Sequence, residues 1–338
     1  MKIGFFCYNL SGTGPRTRAK DIINGIAENT DHEVIVLTSE PELVTEEANT
    51  IKVSIHNPIN LYRSTRRAFS DKDIVQVPIN IWQVAFVRLF YSGPLVAGVG
   101  PGIQVEWYYR YFGRLLGIDR KIVVREDGGW ERFGYETTEC TATINREIFY
   151  PYETEKSQGV RGNLNIHHDE NVILYVGELT ESYGVKLATE AAALDNESTW
   201  IVIGDGPLRS EIESNPNVRY EGYVNNQELP NYYNAADVTV GPRSSDGTSN
   251  VGLESIACGT PFITTATGYI QEFAVEPGVY IYSERTAEAL RDVITELLND
   301  EERYSDQVQR GLEFINKNPL TLESAIDIHL EVYNDLTS

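Results

Sequence analysis

Two carboxylates, Asp246 and Glu254, are separated by seven residues within the segment Gly241-Pro242-Arg243-Ser244-Ser245-Asp246-Gly247-Thr248-Ser249-Asn250-Val251-Gly252-Leu253-Glu254. The pattern reads as a strand, a polar loop and a short helix, followed by the turn Gly259-Thr260-Pro261 and a strand at 262–265. Each carboxylate oxygen can accept a hydrogen bond, so such a pair suits ribose and sugar hydroxyls. The free N–H groups of the adjoining helix start can hold phosphate at the same time. The plain alternative is two unrelated surface acids beside a helix cap. A second candidate anion site is the loop Ser11-Gly12-Thr13-Gly14-Pro15-Arg16. Gly12 and Gly14 allow close backbone approach there, and Arg16 and Arg18 add positive charge. A tight turn with solvated arginines would look the same.

The elements that must position these residues alternate between strand and helix. In the N-terminal half, residues 2–8, 33–38 and 73–77 read as strands and 16–27 as an amphipathic helix, which implies βαβ units around a parallel sheet. The pattern restarts with a strand at 172–176, a helix at 185–194, a strand at 200–203 and the turn Gly204-Asp205-Gly206-Pro207. Ala287, Leu290, Val293, Ile294, Leu297 and Leu298 recur at helical spacing, and a last helix is expected at 322–336. The polar stretch 156–170 is the expected linker. The sequence thus predicts an N-terminal domain at 1–158, a second at 159–318 and a terminal helix at 319–338.

The chain has 338 residues, 41% hydrophobic and 23% charged, enough for two cores. Its formal charge of −22 is unevenly spread: 18 basic face 20 acidic residues in 1–158, and 10 face 30 thereafter. Such acidity argues against a nucleic-acid partner. It is also what a solvated acidic coat adapted to high salt would look like. Cys7, Cys140 and Cys258 have no paired spacing, so neither a disulfide framework nor a metal site is expected. The chain start reads as a strand instead of a signal peptide, and no apolar run is long enough to span a bilayer. A cytoplasmic protein is expected, either free or peripheral on the inner face of the membrane. In the stretches 62–69 and 107–116 arginines alternate with aromatics, which suits an interfacial helix on anionic lipid as well as core packing with snorkelling arginines.

The sequence resembles glycosyltransferase family 4, the retaining, nucleotide-sugar-dependent transferases of the GT-B fold. The resemblance runs through Ile173-Leu174-Tyr175-Val176-Gly177, Ile203-Gly204-Asp205-Gly206-Pro207-Leu208, Val218-Arg219-Tyr220-Glu221-Gly222-Tyr223-Val224, the Asp246 to Pro261 segment and Thr267-Gly268-Tyr269-Ile270-Gln271-Glu272. It covers the C-terminal half and is looser before it, where the first-strand glycine loop and Asn145-Arg146-Glu147-Ile148-Phe149-Tyr150-Pro151 carry it. It implies an α/β architecture of two Rossmann-like domains whose parallel sheets face across a cleft. It also implies that Glu254 binds the donor ribose, Asp246 contacts the transferred sugar, and Gly222, Tyr223 and Val224 hold the base. The backbone N–H groups of Asn250, Val251, Gly252 and Leu253 would take the phosphates. The partners implied are a nucleotide-sugar donor and a sugar or lipid-linked acceptor, with no further cofactor.

The chain departs from the family pattern at four places. Where members carry Arg after the strand glycine and Lys before the next helix, it has Glu178 and Tyr183. A carboxylate about 4 Å from a phosphate charge costs about 4 kcal/mol at an effective dielectric near 20, so Glu178 must point away or the phosphates must be held differently. The first acid is Asp instead of Glu. No histidine stands near Gly98-Val99-Gly100-Pro101-Gly102, and the expected glycine pair appears as Gly268-Tyr269. Lys186, Arg243 and Arg16 are the candidate replacement cations. The departures leave three readings in view: a transferase, a GT-B scaffold without catalysis, and an enzyme using a non-nucleotide phosphate donor.

Overall fold

The computed structural model describes residues 1–11, 14–77, 81–99, 117–123, 136–140, 143–244, 250–265, 279, 281–318 and 320–338. It divides into two units: Met1–Thr143 together with Leu320–Ser338, and Ile144–Pro319.

In the first unit β1 (Lys2–Phe6), β2 (Glu33–Thr38), β3 (Asn49–Lys52), β4 (Ile74–Val77), β5 (Leu95–Val99), β6 (Arg120–Val123) and β7 (Thr137–Glu139) form a parallel sheet in the order β3-β2-β1-β4-β5-β6-β7. Ile3, Phe5 and Phe6 are all buried because both faces of β1 are covered, as a parallel sheet between helices requires. Helix α1 (Gly14–Asn29) turns Ala19, Ile22, Ile23 and Ile26 into this core, and α2 (Pro58–Phe69) and α3 (Ile81–Arg88) follow. The last helix, Leu322–Thr337, packs on α1 so tightly that a Cβ on Gly25 would lie 2.4 Å from Ile326 Cδ1. Its buried Tyr333 donates a hydroxyl hydrogen bond to Gln76 on β4.

The second unit starts earlier than the linker composition implies. Residues 144–158, expected in the first domain, are anchored here: the Phe149 ring meets Tyr233 edge-on at 5.9 Å, the Tyr152 N–H donates to Asn234 Oδ1 at 2.7 Å, and Ser157 Oγ donates to the Asn234 carbonyl at 2.8 Å. The polar stretch after them is a helix, α4 (Thr154–Asn163), with no buried side chain. Gly159 and Gly162 have open space around them, so neither marks a break.

Strands β8 (Asn171–Val176), β9 (Ser198–Ile203), β10 (Arg219–Gly222), β11 (Val238–Gly241), β12 (Phe262–Thr265) and β13 (Ile281–Ser283) form the second parallel sheet, in the order β10-β9-β8-β11-β12-β13. Helices α5 (Val185–Leu194), α6 (Arg209–Glu213), α7 (Leu229–Ala235), α8 (Asn250–Ala257), α9 (Ala287–Asn299) and α10 (Glu301–Lys317) complete it. Its core joins Ile173, Tyr175, Trp200, Val202, Val240 and Ile263 of the sheet to Leu290, Ile294 and Leu297 of α9. Strand order reverses between β8 and β11. In sheets of this kind the carboxyl ends of the strands flanking such a reversal are where ligands bind.

Candidate active site

The loop leaving β8 is held at both ends by one buried side chain. The Tyr175 hydroxyl lies 3.1 Å from the Glu178 carbonyl and 3.3 Å from that of Tyr183. The loop is stitched to the turn after β9 by the Leu179 N–H on Asp205 O and the Leu208 N–H on Leu179 O, both at 3.0 Å. Gly184 then starts α5 with φ +81°, and a Cβ there would stand 1.9 Å from the Pro242 carbonyl oxygen. Only glycine satisfies both the left-handed backbone and the approach. The loops after β8 and β11 thus meet backbone to backbone, and Ser244 adds a second tie by donating its N–H to Ser182 O at 2.9 Å.

Arg243 sits in this junction. Thr265 Oγ1 donates to its carbonyl at 2.6 Å, and its guanidinium carbon lies 4.5 Å from the centroid of the Tyr183 ring. Lys186, the second residue of α5, is differently placed: its Nζ is 2.8 Å from Glu181 Oε1 and 3.9 Å from Glu211 Oε2. Two carboxylates already meet its charge.

Glu254 projects from α8, whose other face buries Gly252, Leu253, Ser255, Ile256 and Ala257. Its Oε2 accepts a hydrogen bond from the buried Tyr233 hydroxyl at 2.9 Å. Burial pushes the Glu254 carboxyl up to about 7, against the opposing pull of the Tyr233 hydrogen bond. Desolvation, followed by the neighbouring carboxylate, in turn raises the Tyr233 phenol well above its ordinary range. Tyr233 is itself fixed by Thr260, whose hydroxyl donates to its carbonyl at 2.7 Å. Asn250, exposed, and Val251, half-buried, open the helix. Asp246 lies outside the described residues.

Gly222 ends β10 with φ +73°, and its carbonyl accepts from the Gly204 N–H at 2.8 Å. Tyr223 is 79% exposed and Val224 half-buried. Glu254 and Asn250 to Leu253 on α8, Arg243 after β11, Lys186 at the start of α5 and Gly222 to Val224 at the end of β10 thus all follow the carboxyl ends of strands of the second sheet.

Arg16 and Gly14 belong to the first unit, and Gly12 lies outside the described residues. The loop there is partly filled from within. Glu40 Oε2 accepts from the Leu10 and Ser11 N–H groups at 2.6 and 2.9 Å, the Ser11 hydroxyl donates to the other oxygen, and Arg16 Nη1 reaches the Ser11 carbonyl at 3.3 Å. These bonds, the Ser11 hydroxyl first, hold the Glu40 carboxyl below its ordinary value. The Ser11 amide, which the sequence offers to an external anion, is thus taken by an internal one, together with that of Leu10. Glu40 and Tyr233 escape sequence reasoning because each reaches its partner across 20 residues or more and neither stands in a spaced motif.

Residues 157–314 match the family described as "Glycosyl transferases group 1". The second unit belongs to that family. TuaC of Bacillus subtilis, a glycosyltransferase named for teichuronic acid biosynthesis, is 27% identical over 163 residues, 48% of this chain and 41% of TuaC. The alpha-monoglucosyldiacylglycerol synthase of Acholeplasma laidlawii is 26% identical over 189 residues, 52% of this chain and 46% of the synthase. The chain thus spans less than half the length of either curated relative. In three dimensions the likeness runs the whole length. Anabaena Alr3699/HepE, solved in complex with UDP-glucose, superimposes with a TM-score of 0.81 at 14% identity, covering 99% of this chain and 100% of that one. At that identity the likeness is one of fold, and the fold is GT-B. Within this group 1 glycosyl transferase unit the residues expected to bind the donor, save Asp246, stand at or after the carboxyl ends of the strands.

Proposed function

We propose that the protein is a retaining glycosyltransferase that moves a sugar from a nucleoside-diphosphate sugar to a lipid-linked, glycan or small acceptor. The observation that carries this reading is Glu254, a carboxylate fixed by Tyr233 at the carboxyl end of the second sheet, beside the start of α8. A ribose would donate its hydroxyls to Glu254, the Asn250 to Leu253 amides would face the diphosphate, and Gly222 to Val224 would flank the base. Asp246 would accept from hydroxyls of the transferred sugar. In the reaction the bond from the anomeric carbon to the diphosphate oxygen breaks. The acceptor oxygen bonds to that carbon on the same face, and its proton passes to the departing phosphate oxygen.

A lipid-linked acceptor gains support from the first unit. Among the described residues no helix is long and apolar enough to cross a membrane. Yet α2 exposes Ile59 and Tyr62 beside Arg63, Arg66 and Arg67, and the Tyr62 ring meets Phe90 edge-on at 4.9 Å, next to Leu89, which is 72% exposed. Apolar side chains interleaved with arginines on an otherwise acidic protein suit anionic lipid. The stretch 107–116 lies outside the described residues.

A thermal-shift panel of UDP-, GDP-, ADP- and dTDP-sugars at low and high salt tests the donor assignment, since a ligand at 100 times its Kd adds about 2.7 kcal/mol of stability. One donor should stabilise the protein, and Glu254→Ala should lose that response. Silence across the panel would favour a scaffold or a non-nucleotide phosphate donor.

A further inference from the structure

We infer that Tyr183 is a positioning residue: its ring holds the Arg243 guanidinium at the carboxyl ends of β8 and β11, and this cation–π pair is the grip of the chain on the donor diphosphate. The inference rests on the donor reading above and adds to it the residue that makes Arg243 usable.

The charge pattern of the second unit singles out Arg243. From residue 159 onward the chain has ten basic residues. Eight of them stand within 4.0 Å of a carboxylate: Arg161 with Asp237, Lys186 with Glu181, Arg209 with Asp205, Arg219 with Glu221, and Arg291, Arg303, Arg310 and Lys317 on α9 and α10. Among the described residues, Arg243 and Arg285 alone in this set form no ion pair. Arg285 lies before α9 in the exposed turn after β13, whereas Arg243 follows the carboxyl end of β11, beside the strand reversal.

Its neighbour is a ring in place of a carboxylate, and the ring is held. The Tyr183 carbonyl faces the Tyr175 hydroxyl at 3.3 Å, and the next residue, Gly184, is in backbone contact with Pro242, the residue before Arg243. On the other side the Arg243 N–H donates to Gly241 O at 2.8 Å and its carbonyl accepts from Thr265. Both backbones being fixed, the ring and guanidinium are brought together by the fold. A guanidinium that meets a ring with its face keeps its coplanar N–H donors for other partners, and those donors can take two phosphate oxygens at once. A lysine in the same place would be a point charge with neither the face nor the fork.

The test is calorimetric binding of UDP, GDP, ADP and dTDP, each with its parent nucleoside, to the full chain. For whichever diphosphate binds, Arg243→Ala should weaken affinity by about 10- to 150-fold, the value of a charge-assisted hydrogen bond, and leave the parent nucleoside unaffected. Tyr183→Ala should weaken it by about 2- to 30-fold, Tyr183→Phe by less than about twofold, and Tyr183→Ala should cost nothing further in an Arg243→Ala background. The double variant also separates positioning from a general loss of folding, which would add in both backgrounds. An unchanged diphosphate affinity in Arg243→Ala, or equal losses for Tyr183→Phe and Tyr183→Ala, overturns this inference alone. A wild-type protein that binds none of the four diphosphates overturns the donor reading and this inference with it.

Discussion

Glu254 makes donor binding depend on pH in a direction that the site geometry dictates. Burial raises its carboxyl from 4.5 to about 7, so in the free protein it is half protonated near neutrality. Ribose hydroxyls donate hydrogen bonds, and the ionised carboxylate is the form that accepts at both oxygens. Binding therefore selects the deprotonated protein. With a midpoint at 7 the competent fraction falls from roughly ten elevenths at pH 8 to one eleventh at pH 6, and the apparent Kd should rise about tenfold. The neighbours do not titrate there: Tyr233 and Cys258, the groups coupled to Glu254, are both pushed upward, away from this window, chiefly by burial. A nucleotide sugar is the right probe, because its diphosphate is a diester with no proton to lose between pH 6 and 8. Calorimetry across that range should give the tenfold slope for the wild type and a flat, weak profile for Glu254→Gln. Tyr233→Phe, which removes the hydrogen bond that lowers the carboxyl, should move the midpoint upward. Stability responds with the opposite sign. The folded protein holds its proton more firmly than the unfolded chain, so stability falls as pH rises from about 4.5 to 7, by about 3 kcal/mol in all, and Glu254→Gln should remove that loss. Affinity that is level between pH 6 and 8 in the wild type, or that improves on acidification, would refute the assignment of Glu254 to the ribose.

Two further outcomes follow from the geometry. Gly184→Ala should destabilise the second unit by about 2–4 kcal/mol, read from urea midpoints, because the left-handed backbone and the Pro242 carbonyl both exclude a Cβ. Flotation with phosphatidylglycerol vesicles should recover the protein at low salt, and replacing Arg63, Arg66 and Arg67 together by Gln should weaken binding by about 3 kcal/mol, whereas recovery on neutral vesicles as well would return this face of α2 to an ordinary surface.

The strands and the two-unit order were legible because parallel strands buried on both faces are short apolar runs, as at Ile173 to Val176, and the helices between them keep a regular spacing. The boundary was not. Residues 144–158 look polar and linker-like, but what assigns them is the fit of Phe149 and Tyr152 onto α7, more than 70 residues away in the chain. The same division holds at the site. The spacing of Asp246 and Glu254 is local and could be read, as could the glycine turns. The proton that Tyr233 shares with Glu254 and the amides that Glu40 occupies depend on how α7 meets α8 and how β2 lies beside β1, which no local pattern encodes. Lys186 shows the converse case. Its place at a helix start makes it a candidate replacement cation, but spacing alone does not reveal Glu181 and Glu211 beside it, as acids will be in a half of the chain where they outnumber bases threefold.

That imbalance also explains why a ring holds Arg243. A carboxylate would orient the guanidinium more firmly, but it would cancel the charge, and an arriving diphosphate about 4 Å from it would meet a repulsion of about 4 kcal/mol at an effective dielectric near 20. The face of Tyr183 attracts the cation through its quadrupole and carries no net charge, so Arg243 keeps its own for the ligand. The contact is also short-ranged. Exposed pairs such as Arg209 with Asp205 loosen as salt rises and the Debye length falls to about 3 Å near 1 M, whereas a guanidinium 4.5 Å from a ring centroid is little screened. The two departures that remove positive charge, at positions 178 and 183, then form one change. Positive charge lost at positions 178 and 183 reappears at 243, on the loop across the strand reversal, and the vacated position 183 supplies the surface on which the new cation rests.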